Sequence, residues 1–162
     1  DILITSFITD LSKGRLNELF FERMILERKG FRPSLAPKHL QKIGIDYVVN
    51  DTTIEVKSYK AEYPHFCIET MTGERLGWLF TCKAQFIAFT DYQSKLIRFL
   101  DFQRARLVIV RNLHLYKERS NERTYLNKSS GNNCPVSYES KFIIVSIQDI
   151  QDFVTTIQDI QD

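Results

Sequence analysis

Asp46, Glu55 and Lys57 are the residues of this chain whose types and spacing point most directly to chemistry. They lie in GIDYVVNDTTIEVKSY, Gly44 to Tyr59, where charged residues interrupt two runs of strand-forming residues. Ile45, Tyr47 and Val49, then Ile54 and Val56, recur at the period of two that marks half-buried strands, and Asn50-Asp51 between them suits a turn. A two-residue turn pairs Val49 with Thr52, Val48 with Thr53, Tyr47 with Ile54 and Asp46 with Glu55. Alternation then collects Asp46, Glu55 and Lys57 on one face of the hairpin and Ile45, Tyr47, Val49, Ile54 and Val56 on the other. Directly opposed side chains stand about 5 Å apart at Cβ, and like charges so placed destabilise a sheet unless something neutralises them. A hard divalent cation does so, since Mg²⁺ is held by one or two carboxylates together with substrate phosphate.

A helix precedes the hairpin. Thr9, Asp10 and Ser12 are N-cap candidates, and from Gly14 to Lys29 the residues Leu16, Leu19, Phe20 and Leu26 recur at three- and four-residue steps. Gly30 and Pro33 supply its stop. Glu18, Phe21, Glu22 and Ile25 share one face, which leaves a carboxylate at the boundary between apolar and polar surface. Pro33 to Lys42 reads as a loop with Lys38, His39 and Lys42 available to phosphate. After the hairpin, Lys60 to Pro64 is a polar break and His65 to Thr70 reads as a third strand, in which Glu69 is either an ordinary strand residue or a further acid near the centre.

Asp, then Glu-x-Lys on the following strand, resembles the PD-(D/E)XK nuclease superfamily at Asp46, Glu55, Val56 and Lys57, with Ile45 where that pattern has proline. Gly77-Trp78-Leu79 followed by Lys83 to Phe89 is similar to small phage-borne members, although Gln85 stands where many relatives carry an acid. The resemblance covers roughly residues 11–99 and implies an α/β, restriction-endonuclease-like core: a central mixed β-sheet flanked by helices in the order α-β-β-β-α-β, continued by a C-terminal strand and helix. It implies a Mg²⁺-dependent deoxyribonuclease, with Mn²⁺ able to substitute. Asp46, Glu55 and the Val56 carbonyl would hold the metal, Lys57 would orient the attacking water, and Glu18, or failing it Glu22, would complete the metal shell. The expected partner is DNA. The alternatives are a Holliday junction resolvase-like endonuclease, which requires a homodimer to cut two strands, and a nucleic-acid-binding module of the same fold without turnover.

The 162 residues suit one domain, here a nuclease-like core followed by a basic and C-terminal extension over 100–162. A hydrophobic fraction of 43% and a charged fraction of 26% are ordinary for a soluble globular protein. No apolar run reaches the roughly 20 residues that cross a bilayer, and no signal-peptide pattern opens the chain, so the expected location is intracellular and cytoplasmic. Cys67, Cys82 and Cys134 have neither the even number of a disulfide framework nor the spacing of a zinc site.

Net charge is only +2, yet Lys95 to Lys128 holds nine Lys and Arg against three acids, +6 within one stretch and −4 in the remainder. Basic stretches bind phosphate in a sequence-independent, salt-sensitive way, which makes Arg104, Arg106 and Arg111, with Lys42 and Lys83, the candidate DNA contacts. Trp78 suits either base stacking or the core. Leu96 to Leu100 reads as a strand, Leu107 to Val110 as helix or strand, Glu118 to Val136 as a mobile loop and Lys141 to Ile147 as a strand. The spacing of Ile150, Val154, Ile157 and Ile160 predicts a terminal amphipathic helix, and IQDIQD occurs after Ser146 and again after Thr156.

Overall fold

The computed structural model describes the backbone of residues 2–120, 123–131 and 134–159, and the side chains of residues 12–119 and 139–159. The architecture is α/β, with a mixed sheet between helices. Helix α1 spans Ile2–Lys29. It begins well before the expected caps because nothing at Thr9, Asp10, Ser12 or Gly14 forbids helical backbone, and an interior glycine costs only about 1 kcal/mol. It stops at Gly30, whose N–H still reaches the Leu26 carbonyl at 2.9 Å. A short helix α2, Lys38–Gln41, occupies the segment expected as loop and leads into the hairpin.

Strands β1 (Tyr47–Val49) and β2 (Thr52–Ser58) pair antiparallel as Tyr47 with Ile54, Val48 with Thr53 and Val49 with Thr52. Positive φ at Asn50 (48°) and Asp51 (66°) makes the turn, a conformation for which Asn and Asp are suited. The ladder stops at Tyr47. The Asp46 amide turns onto the Ile54 carbonyl at 2.9 Å, so the expected pairing of Asp46 with Glu55 is not a ladder pair. The same bend resets the alternation: Ile45 packs on the opposite side of the sheet from Tyr47, Val49 and Ile54, not beside them as expected.

Five strands form the main sheet in the order β1-β2-β5-β6-β9. β5 (Phe86–Asp91) lies parallel to β2, β6 (Leu96–Asp101) antiparallel to β5, and β9 (Val154–Gln158) antiparallel to β6. β5 is buried from Ile87 to Asp91, as a central strand covered on both faces must be. The third strand of the sequence, β3 (His65–Thr72), does not extend the hairpin. It joins β4 (Arg75–Leu76), β7 (Arg123–Gly131) and β8 (Cys134–Ser146) in a second, antiparallel sheet of order β4-β3-β8-β7. The apolar run of β5 takes the edge of β2 instead, and the break at Lys60–Pro64 sends β3 away from it.

Helix α1 covers one face of the main sheet, placing Phe20, Phe21, Met24 and Ile25 against Tyr47, Val49, Ile54, Ala88 and Ile97. The other face packs Ile87, Phe89 and Leu100 against Phe66, Ile68, Ile143 and Val145 of the second sheet, with Leu79 of the short helix α3 (Trp78–Thr81) and Phe102, Ala105 and Ile109 of helix α4 (Phe102–Arg111). Residues after 99 thus supply part of the same core. Leu107 to Val110 are helical, and the segment expected as a mobile loop is the end of α5 (Leu113–Ser120) followed by β7 and the start of β8, paired from Arg123–Phe142 to Gly131–Cys134. Its polar composition argued for loop, but backbone pairing with β8 decides the matter.

The chain's last described segment also departs from expectation. Ile147–Phe153 is a 3-10 helix broken at Ile150 (φ −124°, ψ 24°), and β9 follows it where the apolar spacing predicted helix. The open edge of β6 offers backbone partners to that segment, and Val154, Thr155 and Thr156 are β-branched. No described helix is long and apolar enough to cross a membrane.

Candidate functional site

The site is built where β1 gives out. Because Asp46 has left the ladder, the Val56 amide no longer has a backbone partner across the hairpin, and it donates instead to Asp46 Oδ2 at 2.9 Å. This fixes the Asp46 carboxylate beside the Glu55–Lys57 stretch of β2. Glu55 and Lys57 alternate onto one face of β2, next to Ile87 and Phe89 of β5. Lys57 Nζ lies 3.3 Å from Glu55 Oε1 and 5.1 Å from the centre of the Trp78 ring, so a carboxylate and an aromatic face hold the ammonium between them. Trp78 itself packs on Phe89 and Phe102, and so serves both the core and the site.

Two close backbone approaches set this geometry. A Cβ on Gly77 would stand 2.4 Å from the Glu69 carbonyl oxygen, so only glycine lets α3 abut β3 there and present Trp78. Gly44, at φ +80°, would carry a Cβ 2.8 Å from Cys82 Sγ. Cys82 is buried, and its thiol donates to Glu55 Oε2 at 2.9 Å and contacts the Gly44 carbonyl at 3.3 Å. Burial, and then the negative charge of Glu55, push that thiol up to about 12, so it stays a neutral donor that orients Glu55. Neither motif nor spacing marks Cys82 for this role in the sequence.

The carboxylates crowd one another. Burial raises Asp46 to about 6 against the relief of the Val56 amide, with Glu55 and Glu18 adding to the rise and Lys57 opposing it. Glu69 is also raised, by burial first, while Lys57 and the Trp78 amide pull it down and Glu55 pushes it up. Glu69 therefore belongs to the same electrostatic neighbourhood, a proximity that its unknown register hid in the sequence. Glu18 pairs with Arg15 at 3.2 Å on the helix surface and stands within electrostatic reach of Asp46. Glu22, the other helix candidate, is committed elsewhere: it accepts from Tyr47 Oη at 2.7 Å and pairs with Arg32 at 3.1 Å and Arg15 at 3.3 Å.

Among the described residues, no three His, Cys, Asp or Glu side chains converge tightly enough to hold an ion by themselves. A cation here would draw on Asp46, Glu55 and the Val56 carbonyl, with Glu18 at the margin. The donor set fits a hard metal: all oxygen, with three acids acting on one another and Lys57 as the amine beside them.

Of the candidate DNA contacts, Lys42 and Lys83 are exposed and adjoin through the Lys83 amide, which donates to the Ile43 carbonyl at 2.9 Å. They flank Cys82 and hence Glu55. Gln103 ties the first turn of α4 to the same loop by donating to the carbonyls of Cys82 (3.2 Å) and Ala84 (2.7 Å). On that helix Arg104 bonds Asp101 at 3.3 Å and overlies Phe153, Arg106 overlies Phe102, and Arg111 is exposed in the last turn. Arg123 and Lys128 have side chains outside the described residues. No protein-family model matches the chain, and no curated protein or solved structure matches it either.

Proposed function

We propose that this chain is a metal-dependent deoxyribonuclease of PD-(D/E)XK type, hydrolysing phosphodiester bonds of DNA. The observation that carries the reading is the juxtaposition of Asp46, anchored on the Val56 amide, with the Glu55–Lys57 ion pair. Burial and neighbouring acids hold Asp46 near 6, a concentration of negative charge that a hard cation relieves. The restriction-endonuclease-like reading of the fold is also supported by the order of helix, hairpin and a following parallel strand, although β3 lies in the second sheet.

Asp46, Glu55 and the Val56 carbonyl would hold Mg²⁺ or Mn²⁺, and Glu18 would act from the helix side. When bound, such an ion polarises a scissile phosphate and lowers the pKa of a coordinated water. The chain's own residues do the rest. The Val56 amide engages Asp46 Oδ2, leaving Oδ1 free to ligate. Cys82 and Lys57 orient the two oxygens of Glu55. Lys57, held over Trp78, would direct the attacking water and offset the negative charge on the phosphoryl oxygens in the transition state. Lys42 and Lys83 at the rim attract the flanking phosphates.

Cleavage of labelled single-stranded, duplex and branched DNA, with Mg²⁺ or Mn²⁺ and with EDTA, tests the proposal. Metal-dependent cutting that is lost in Lys57→Ala and Asp46→Ala supports it, and cutting confined to branched DNA by a dimer selects the junction-resolvase form. Cutting that survives both substitutions refutes the site. Metal-independent DNA binding without cutting favours the non-catalytic module.

A further inference from the structure

Beside the candidate centre lies a cavity of about 400 Å³, within the range of small-ligand sites. It draws on the same two elements, β2 and α1, but on the α1 side of β2, opposite the face that carries Glu55 and Lys57. Ser58 follows Lys57 on β2 and Asn17 precedes Glu18 on α1, and the Asn17 amide bonds Ser58 Oγ at 2.9 Å, joining the two elements. Three tyrosines, Tyr59, Tyr63 and Tyr92, line the cavity, with Lys13 and Lys60 among its other lining residues.

The polar groups of the walls are largely engaged already. Asn17 Oδ1 accepts the Tyr92 amide at 3.0 Å. The Tyr59 hydroxyl donates to the Tyr63 carbonyl and accepts from Arg98 at 2.7 Å. Asp91, the one carboxylate, accepts the amides of Ala61, Gln93 and Ser94. Lys13 and Lys60 are exposed and form no ion pair among the described residues. The chemistry left to a ligand is aromatic surface together with two ammonium groups, which suits a flat ring carrying an anionic group.

We propose that this cavity receives one unpaired nucleotide of the DNA strand, its base stacked on tyrosine and its phosphate met by Lys13 and Lys60. The proposal rests on the nuclease reading for its choice of ligand. A base enters a cavity only when it is out of the duplex stack, so the preferred substrate is single-stranded or frayed DNA.

Fluorescence anisotropy in EDTA, where no metal-dependent cutting occurs, tests this with labelled oligothymidylate of about ten nucleotides, within the span of known single-strand sites. The comparison ligand is a blunt duplex of equal length. The single strand should bind at least about tenfold tighter, and Tyr63→Ala and Tyr92→Leu should each weaken it about 5- to 150-fold, the range of base-on-aromatic stacking. Tyr63 is 44% exposed, its hydrogen bond uses its main chain and, among the described residues, its ring stacks on the strand residue His65 alone. Tyr63→Ala therefore removes surface ring area, and a urea midpoint near wild type shows that the variant is folded and keeps the test decisive. Joint Lys13→Ala and Lys60→Ala substitution should reduce the salt slope by about 0.7, the value for the one phosphate that the two ammonium groups meet.

Equal affinity for duplex and single strand, or unchanged binding by the folded tyrosine variants, overturns the inference. The two proposals fail separately. Wild-type cleavage with unaffected tyrosine variants removes the pocket and keeps the nuclease, whereas tyrosine-dependent single-strand binding without any metal-dependent cleavage removes the nuclease and keeps the pocket.

Discussion

Two carboxylates flank the start of β1, and the chain treats them in opposite ways. Glu22 is 6% exposed and meets a tyrosine hydroxyl and two guanidinium groups, so its charge is matched where it lies. Asp46, one residue before β1, has among the described residues a single amide hydrogen-bonded to its carboxylate, with the like charges of Glu55 and Glu18 beside it and Lys57 as the opposing charge. A buried charge that is paired and hydrogen-bonded can be structural, whereas one left among like charges raises the free energy of the fold. The contrast separates a residue that holds α1 to the hairpin from one whose charge is left largely unmatched, the feature on which the proposed cation site rests.

The largest effect that can break this comparison is on activity. Asp46→Asn retains an acceptor for the Val56 amide but removes the charge, and Lys57→Ala removes the amine; each should lower the cleavage rate by about 10²–10³-fold, as loss of a charge-stabilising group does. Urea unfolding of Asp46→Asn without metal should show stability equal to or above wild type. A large loss of stability instead would make Asp46 structural, like Glu22.

Glu22→Ala should do the reverse. It strands the Tyr47 hydroxyl and leaves Arg15 and Arg32 without that partner, for a loss of about 1–3 kcal/mol in urea unfolding, with the guanidinium share discounted for solvent exposure. Any cleavage lost should return where the variant is folded. A third outcome is read by thermal shift: metal at ten times its dissociation constant should stabilise wild type by about 1.4 kcal/mol. That gain should disappear in Asp46→Asn and Glu55→Gln and persist in Glu22→Gln.

The smallest effect concerns Asp91, a second matched carboxylate. Burial opposes its ionisation, but the amides of Ala61, Ser94 and Gln93 and the Ser94 side chain outweigh it and lower its pKa below the ordinary 3.8. A depressed folded pKa means that its contribution is complete above the unfolded value and is lost as pH falls through the folded one. Urea midpoints of wild type and Asp91→Asn should therefore differ above pH about 4 and converge below it. Divergence toward acid would contradict the assigned shift.

The hairpin was legible because its information is local. Alternating apolar residues and Asn50-Asp51 dictate the turn and the three ladder pairs, and the same reading brought Asp46, Glu55 and Lys57 together. The helix through Lys29 and its stop at Gly30 were legible for the same reason. The choice between Glu18 and Glu22 was not, since it depends on Arg32 and on the hydroxyl of Tyr47, read from sequence only as an apolar strand residue. Cys82 was missed because its bond to Glu55 spans a fold, not a motif.

IQDIQD puts the division most sharply. Its first copy begins the 3-10 helix at Ile147 and Gln148, while Ile157 and Gln158 of the second end strand β9 against Ile97 and Leu96. The same residues take two conformations because β6 presents unpaired backbone groups to one copy and not to the other. By itself the sequence determined what short-range periodicity, turn residues and charge type can dictate: the hairpin, its register from Tyr47–Ile54 to Val49–Thr52, and the chemical character of its charged residues, but not the bend at Asp46 that ends the ladder. Tertiary structure decided which edge each later strand would join, which helix carboxylate would be neutralised and which cysteine would meet Glu55, because those outcomes depend on partners distant in the chain.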